Sequence, residues 1–174
     1  MVAYASGNDK AFAELYRRYE ARIYGFLVRR LSPRQRNSTS DIFQKTWLKV
    51  HTGRKSFDST KKFSAWIFTI AINALRDHLS LKEEKVSAAS LEDVVEPASL
   101  TNQETDLMRE QLKNNVHTII EKLPTMQREA VLLCELEGFS SADAANIMNL
   151  SDGAVRQLLF RARGMLKTML QGGL

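Results

Sequence analysis

The sequence predicts an all-α protein built as two small helical domains joined by a flexible linker, and three observations carry that prediction. Apolar residues recur at steps of three and four over long stretches, no alternating strand pattern competes with them, and the helical period lapses across one internal acidic strip. The first domain is expected over residues 1–82, the strip over 83–106 and the second domain over 107–174. A chain of 174 residues with 44% hydrophobic content can fill two such cores.

From Asp9 to Leu31 the apolar series Phe12, Leu15, Tyr19, Ile23, Phe26 and Leu27 predicts a long amphipathic helix, which Ser32-Pro33 ends. After a polar segment, Ser40 is the expected N-cap of a second helix over 41–50, with Phe43, Trp47 and Val50 on one side and Gly53 as its stop. A third helix, starting near Ser59 or Thr60, repeats the pattern through Phe63, Trp66, Ile67, Ile70, Ala71, Ala74, Leu75, His78 and Leu79. Residues 82–103 then turn rich in Ser, Ala and Glu and contain Pro97, too long an unpatterned run for a loop inside one compact domain. The helical period returns at Leu107 and runs to Leu123, where Pro124 halts it. Thr125 is placed to cap the next helix, which reaches about Glu137 and leaves at Gly138.

The most informative stretch is Ser140 to Lys167, whose pattern is two helices joined by a tight turn. Ser140 and Asp143 form a capping box, Ala144, Ala145, Ile147 and Met148 supply an apolar side, Asn149 and Leu150 make the corner, and Ser151 caps the second helix. In that helix Val155, Leu158 or Leu159, Ala162, Leu166 and Met169 share one face, while Arg156, Gln157, Phe160, Arg161 and Arg163 project elsewhere. Arginine can bond guanine through two donors, glutamine can do the same for adenine, and phenylalanine can touch a thymine methyl. The residues alone leave a second reading open, an amphipathic helix with a solvated basic side.

Charge is distributed as unevenly as period. Residues 1–82 carry +10, residues 83–106 carry −6 and residues 107–174 carry +1, for a net charge of +5. In the last segment the positive charge gathers on Arg156, Arg161, Arg163 and Lys167. Two separated basic surfaces suggest two contacts with a polyanion. No apolar run approaches a membrane span and the N-terminus lacks the order of a signal peptide, so a cytoplasmic protein without membrane insertion is expected. Cys134 sits in an apolar run and is expected to be a small core hydrophobe. His51, His78 and His117 lie far apart with no metal-binding spacing, and no glycine-rich phosphate loop precedes a helix. No catalytic residue, metal or cofactor is therefore assigned.

Several motifs together resemble the extracytoplasmic-function group of bacterial RNA polymerase sigma factors, in the sigma-70 family. In the N-terminal half, Asp41-Ile42-Phe43-Gln44-Lys45-Thr46-Trp47, Phe63-Ser64-Ala65-Trp66-Ile67 and Ile70-Ala71-Ile72-Asn73 are similar to one family signature. In the C-terminal half, Leu123-Pro124 with Gln127-Arg128, Glu137-Gly138-Phe139-Ser140 and Gly153-Ala154-Val155-Arg156 followed by Arg161-Ala162-Arg163 resemble the second. Lys45 stands where the family usually has an acid, Asp143 where Glu is common, and Gln157 where Ser is frequent.

The resemblance implies that residues 1–82 are sigma region 2, which binds the polymerase clamp and the minus-ten element, and that 107–174 are region 4, which binds the minus-thirty-five element. It places polymerase contacts at Asp41, Gln44 and Lys45 and minus-ten contacts at Phe57, Lys61, Lys62, Asn73 and Arg76. It places the reading of duplex DNA at Arg156, Gln157, Phe160 and Arg161, with Arg163 suited to phosphate. The implied partners are core RNA polymerase, at its clamp and flap, promoter DNA and an anti-sigma factor. The acidic strip resembles a segment that enters polymerase channels, beside the plainer reading of a solvated spacer. Phe63 and Trp66 lie on the apolar stripe and are expected in the core. The rival readings are a sigma-like decoy for an anti-sigma factor, a stand-alone helix-turn-helix regulator and an enzyme assembled from dispersed residues.

Overall fold

The computed structural model describes the backbone of residues 1–88 and 118–171, and the side chains of 1–80 and 118–171. The part of the acidic strip over 89–106, and the helical period expected to resume from Leu107, lie outside the described residues. Helix α1 spans Val2–Ala5, α2 Asp9–Arg30, α3 Thr39–Thr52 and α4 Phe63–Ala88. Beyond the strip, residues 118–121 are helical, followed by α5 (Thr125–Val131), α6 (Ser141–Met148) and α7 (Asp152–Gln171). No strand occurs among the described residues.

Boundaries move from their predicted places for identifiable reasons. Helix α2 starts where expected because the Asn8 side chain accepts from the Ala11 amide at 3.3 Å. Ser40 is not the cap of α3: a 3₁₀ turn over Pro33–Ser38 feeds the helix from Thr39, and Gln35 Oε1 anchors that turn by accepting from the Ser32 amide and hydroxyl at 3.3 and 2.9 Å. Helix α4 starts at Phe63 because Asp58 holds the preceding residues in a turn. Its Oδ1 accepts from the Thr60 amide at 3.0 Å and the Thr60 hydroxyl at 2.7 Å, competing with helix formation. The same helix runs on to Ala88, into the first residues of the acidic strip. After α5 the backbone widens into a π-helical turn over Leu132–Leu136 before Gly138 turns it out with φ +75°. Thr125 opens α5, but its side chain makes no capping bond.

Aromatic contacts organise the N-terminal half. Phe12 packs edge-on to Trp47 at 5.7 Å, Tyr16 lies tilted against Trp47 at 4.8 Å, and Tyr24 meets Phe43 at 5.6 Å. Tyr4 pins α1 to the end of α3, its hydroxyl 2.5 Å from His51 Nδ1.

The halves do not stand apart. Ile23, Phe26, Leu27, Phe68, Ile72 and Leu75 from one half and Leu132, Leu133, Phe139, Ile147 and Met148 from the other belong to one contiguous buried cluster. Phe68 lies at the join, edge-on to Phe26 at 5.3 Å and to Phe139 at 5.1 Å. Around it runs a set of cross-half ion pairs. Glu129, fully buried, accepts from Arg30 at 2.9 Å and Arg76 at 2.7 Å. Glu137 faces Arg22 at 3.0 Å and Arg29 at 3.6 Å, Glu121 meets Arg36, and Asp143 meets Lys62 at 3.3 Å. Removing one partner from a buried pair of the Glu129 kind costs about 3–5 kcal/mol, although the intact pair adds little net stability.

Candidate nucleic-acid interface

The start of α6 and its turn into α7 are set by three residues predicted to set them. Ser140 Oγ accepts from the Asp143 amide at 3.0 Å, Asn149 adopts the left-handed conformation at φ 59°, and Ser151 Oγ accepts from the Ala154 amide at 3.2 Å. The Leu150 amide closes the end of α6 on the Ala145 carbonyl at 2.9 Å. Ala144, Ala145, Ile147 and Met148 of α6 are buried, as are Val155, Leu159 and Ala162 of α7. Leu158 is half-buried, so Leu159 is the residue of that pair in the seam.

Packing that face turns the opposite one outward. Arg156, Gln157, Phe160, Arg161 and Arg163 are all exposed, and Phe160 shows 79% of its surface. At that exposure Phe160 is not a packing contact with the preceding helices. The arginines differ in their commitments. Arg156 pairs with Asp152 four residues back, and Arg163 reaches Glu135 at 2.6 Å, whereas Arg161 has no ion pair or hydrogen bond among the described residues. The Ser141 hydroxyl, with the Arg156 guanidinium, holds the Asp152 carboxyl below the usual carboxylate range. The result is an apolar tip flanked by cations on one helical face, a shape that suits a major groove.

The residues expected at the minus-ten element fall into two groups. Phe57 is half-buried, edge-on to Trp66 at 5.1 Å and Phe63 at 6.1 Å, so the loop after α3 rests on an aromatic shelf. Phe63 and Trp66 are half-buried rather than fully internal. Lys61 and Lys62 are exposed beside the Asp58 turn, whose carboxyl the Thr60 hydroxyl and amide hold low. Asn73 is exposed on α4, and Arg76 follows it by three residues. At a helical rise of about 1.5 Å per residue, Lys62 and Arg76 are separated by roughly 20 Å along the axis. Arg76 is drawn further from solvent than the two lysines: its side chain is 35% exposed, bound to Glu129 and, at 3.4 Å, to the Met148 carbonyl.

Asp41, Gln44 and Lys45 are all exposed on α3. Leu48, 61% exposed one turn further on, extends that face and was not singled out from the sequence. Its spacing of seven from Asp41 was the available signal. Glu129 was missed as well, because a glutamate in a helix reads as a solvated residue until its partners are known. Cys134 is half-buried against the core, where burial and then the neighbouring Glu135 push its thiol up. No cluster of potential metal ligands occurs among the described residues, and none of their helices is long and apolar enough to cross a membrane.

A fold that is helical without strands among the described residues, with a helix-turn-helix in one half and a loop bearing the exposed Lys61 and Lys62 in the other, defines a class of DNA-binding transcription proteins. Residues 15–83 match the family model for sigma-70 region 2, and residues 113–166 match that for sigma-70 region 4. The chain is 31% identical to the ECF RNA polymerase sigma-E factor of Haemophilus influenzae, across 95% of this chain and 90% of that one. It is also 31% identical to the RNA polymerase sigma factor CarQ of Myxococcus xanthus, across 98% and 95%. Among solved structures, CnrH in complex with the cytosolic domain of CnrY superposes with a TM-score of 0.71 at 26% identity, covering 98% of this chain and 94% of that one. The fold also matches that of RpoE from Bartonella quintana, solved with the anti-sigma factor NepR, with a TM-score of 0.73 at 23% identity over 93% and 98% of the two chains. The chain belongs to the extracytoplasmic-function sigma factors of the sigma-70 family. Sigma factors bind core RNA polymerase and direct it to promoters; they are initiation factors, not enzymes.

Proposed function

We propose that this sigma factor divides initiation between two surfaces. Within 107–174, Arg156, Gln157, Phe160 and Arg161 read the minus-thirty-five element from the major groove, and Arg163 pairs with a flanking phosphate. The observation that carries this is the exposed face of α7, where an apolar tip and cations stand clear of the core that holds them. Within 1–82, Lys61, Lys62, Asn73 and Arg76 hold the opened minus-ten strand, with Phe57 seated at the rim of the aromatic shelf. The exposed face of α3, Asp41, Gln44 and Lys45, meets the polymerase clamp.

The protein acts in the cytoplasm, where polymerase and template are, and its activity is restrained there by an anti-sigma factor. Support for such a partner comes from RpoE of Bartonella quintana, which has the same fold and was solved with the anti-sigma factor NepR. A decoy that only occupied an inhibitor would have no use for the outward set on α7, and a stand-alone repressor would have none for the face of α3. Runoff transcription with purified core polymerase separates these readings, since only a sigma factor yields a promoter-dependent product. Substituting Lys61→Ala and Lys62→Ala together is expected to leave duplex binding near wild type and to reduce strand opening, read by permanganate reactivity of promoter thymines. Equal reactivity would remove these lysines from the minus-ten surface.

A further inference from the structure

The loop that carries Lys61 and Lys62 leaves α3 through a 3₁₀ turn over Arg54–Ser56, and little within the loop holds that turn in place. Of residues 55–62 only Phe57 is drawn inward, edge-on to Trp66 at 5.1 Å, and the rest are exposed. The hydrogen bonds of the turn are local: the Ser56 amide donates to the Gly53 carbonyl at 3.0 Å, and the Arg54 guanidinium donates to the His51 carbonyl at 2.7 Å. Support from outside comes from α1. Tyr4, 3% exposed, rests against Phe12 of α2 at 5.0 Å, its hydroxyl donates to His51 Nδ1 at 2.5 Å, and the Arg54 guanidinium lies over its ring at 5.8 Å. Burial raises the Tyr4 phenol above its ordinary pKa, which keeps the proton available for that bond. One side chain thus holds the chain on both sides of Gly53, where α3 ends.

We propose that Tyr4 is a positioning residue for strand capture: through its bond to His51 and its ring beneath Arg54, it fixes the exit of α3 and so presents the loop from Phe57 to Lys62 to the opened strand. The inference rests on the assignment of that loop to the minus-ten element. A loop that captures an unstacked base has to be ordered when it does so. Order built in beforehand spares that cost, whereas a loop that wanders among conformers binds with an affinity lowered to the fraction of time it spends in the competent one. The far end of this loop is fixed by other means, because Asp58 holds Thr60 and α4 begins at Phe63. Its near end has Phe57 on the shelf and Tyr4 beyond it, so loss of the Tyr4 contacts loosens the near end alone. The partners of Tyr4 are Phe12, His51 and Arg54, none of them a residue assigned to duplex reading or to the clamp.

The test compares full-length wild type with Tyr4→Phe, with His51→Leu and with the two substitutions together, and takes Lys61→Ala/Lys62→Ala as the reference for the loop. Hydrogen exchange read by mass spectrometry reports the order of 51–62 in each free protein. Each is then titrated with core polymerase, and fluorescence anisotropy gives the affinity of the assembled holoenzyme for a pool of short single-stranded DNA of randomised sequence and for the same pool as duplex. Tyr4→Phe, which keeps the ring beneath Arg54, is expected to speed exchange across 53–57 and to weaken single-strand binding about fivefold, the scale of one lost neutral hydrogen bond, with core and duplex binding unchanged. His51→Leu is expected to match it, and the double variant to bind no worse than either, because both remove the same bond. A purely structural role for Tyr4 would lower the melting temperature and leave the affinity of the folded protein for single strands as it was. Unchanged exchange, or losses that add in the double variant, overturn the proposal. Faster exchange with single-strand binding unchanged overturns it too: if Lys61→Ala/Lys62→Ala is then equally silent, the loop assignment falls with it, and if that pair weakens binding, only the role of Tyr4 falls.

Discussion

Truncating Arg161 to alanine separates a reading contact from a structural one, because this arginine has nothing to lose inside the protein. Its guanidinium is exposed with no ion pair or hydrogen bond among the described residues, so the folding free energy should change by no more than about 0.5 kcal/mol. A bidentate base contact contributes about 1–3 kcal/mol of discrimination, which corresponds to a loss of roughly 5- to 150-fold in affinity for a cognate duplex. Arg156 and Arg163 differ, since each is shared with a carboxylate, Asp152 or Glu135, that would face the DNA alone once its partner is gone. Anisotropy titrations against cognate and scrambled duplexes, repeated over a series of salt concentrations, resolve the mode of contact. A base-reading Arg161 lowers only cognate binding and leaves the salt slope as it was, whereas a phosphate contact lowers both and reduces the slope by about 0.9. Undiminished cognate binding, or a melting temperature several degrees below wild type, would refute the argument that an exposed and unpaired cation on this face is there for DNA.

Three further substitutions or titrations test the packing beneath the site. Ser140→Ala removes the 3.0 Å bond that starts α6 and should cost about 1 kcal/mol in urea unfolding, with cognate affinity unchanged wherever the protein is folded. Phe68→Ala empties the join between Phe26 and Phe139 and should cost about 3–5 kcal/mol; a transition in which only one half is destabilised would show that the halves do not share a core. Burial raises the Cys134 thiol above its ordinary pKa, so the folded state disfavours the thiolate. The resulting stability is fully present below the unfolded thiol pKa of about 8.5 and declines as pH rises toward the folded value. Alkylation of Cys134 near that pH should be slow in the native protein and accelerate in urea; equal rates in both would contradict the burial.

Elements defined by local chemistry were legible in the sequence. The helix-turn-helix is started by the Ser140 cap and turned at Asn149 and Ser151, each a feature of a few neighbouring residues, and α2 follows its apolar stripe from end to end. Boundaries failed where a side chain competed with the helix. Nothing in the apolar period near Ser59 signals that Asp58 will claim Thr60, and Ser40 has the chemistry of a cap while the chain is already helical at Thr39. The exposure of Arg156, Gln157, Phe160, Arg161 and Arg163 on α7 was legible because the face opposite a buried stripe has to be exposed. Leu48 was not, because an exposed leucine breaks the rule that assigned apolar residues to the interior.

Charge shows the deeper limit. The +10 of residues 1–82 reads as a surface for a polyanion, and the exposed Lys61 keeps part of it in solvent. Yet Arg22, Arg29, Arg30, Arg36 and Arg76 are turned toward Glu121, Glu129 and Glu137. A segment's net charge measures how much it can neutralise, not what it faces, and the partner here lies up to 115 residues away along the same chain. The excess positive charge therefore has two claimants, the acidic residues of region 4 and the phosphates of DNA. Each arginine released from the first becomes available to the second, so screening should weaken the join and the DNA contacts together. The exposed Lys62 pair with Asp143 is the part of the join most open to that screening, while the buried Glu129 is the part least open to it. Added salt alone should then loosen the rim of the join before its centre, and a partner that binds both halves is the agent able to separate the centre as well.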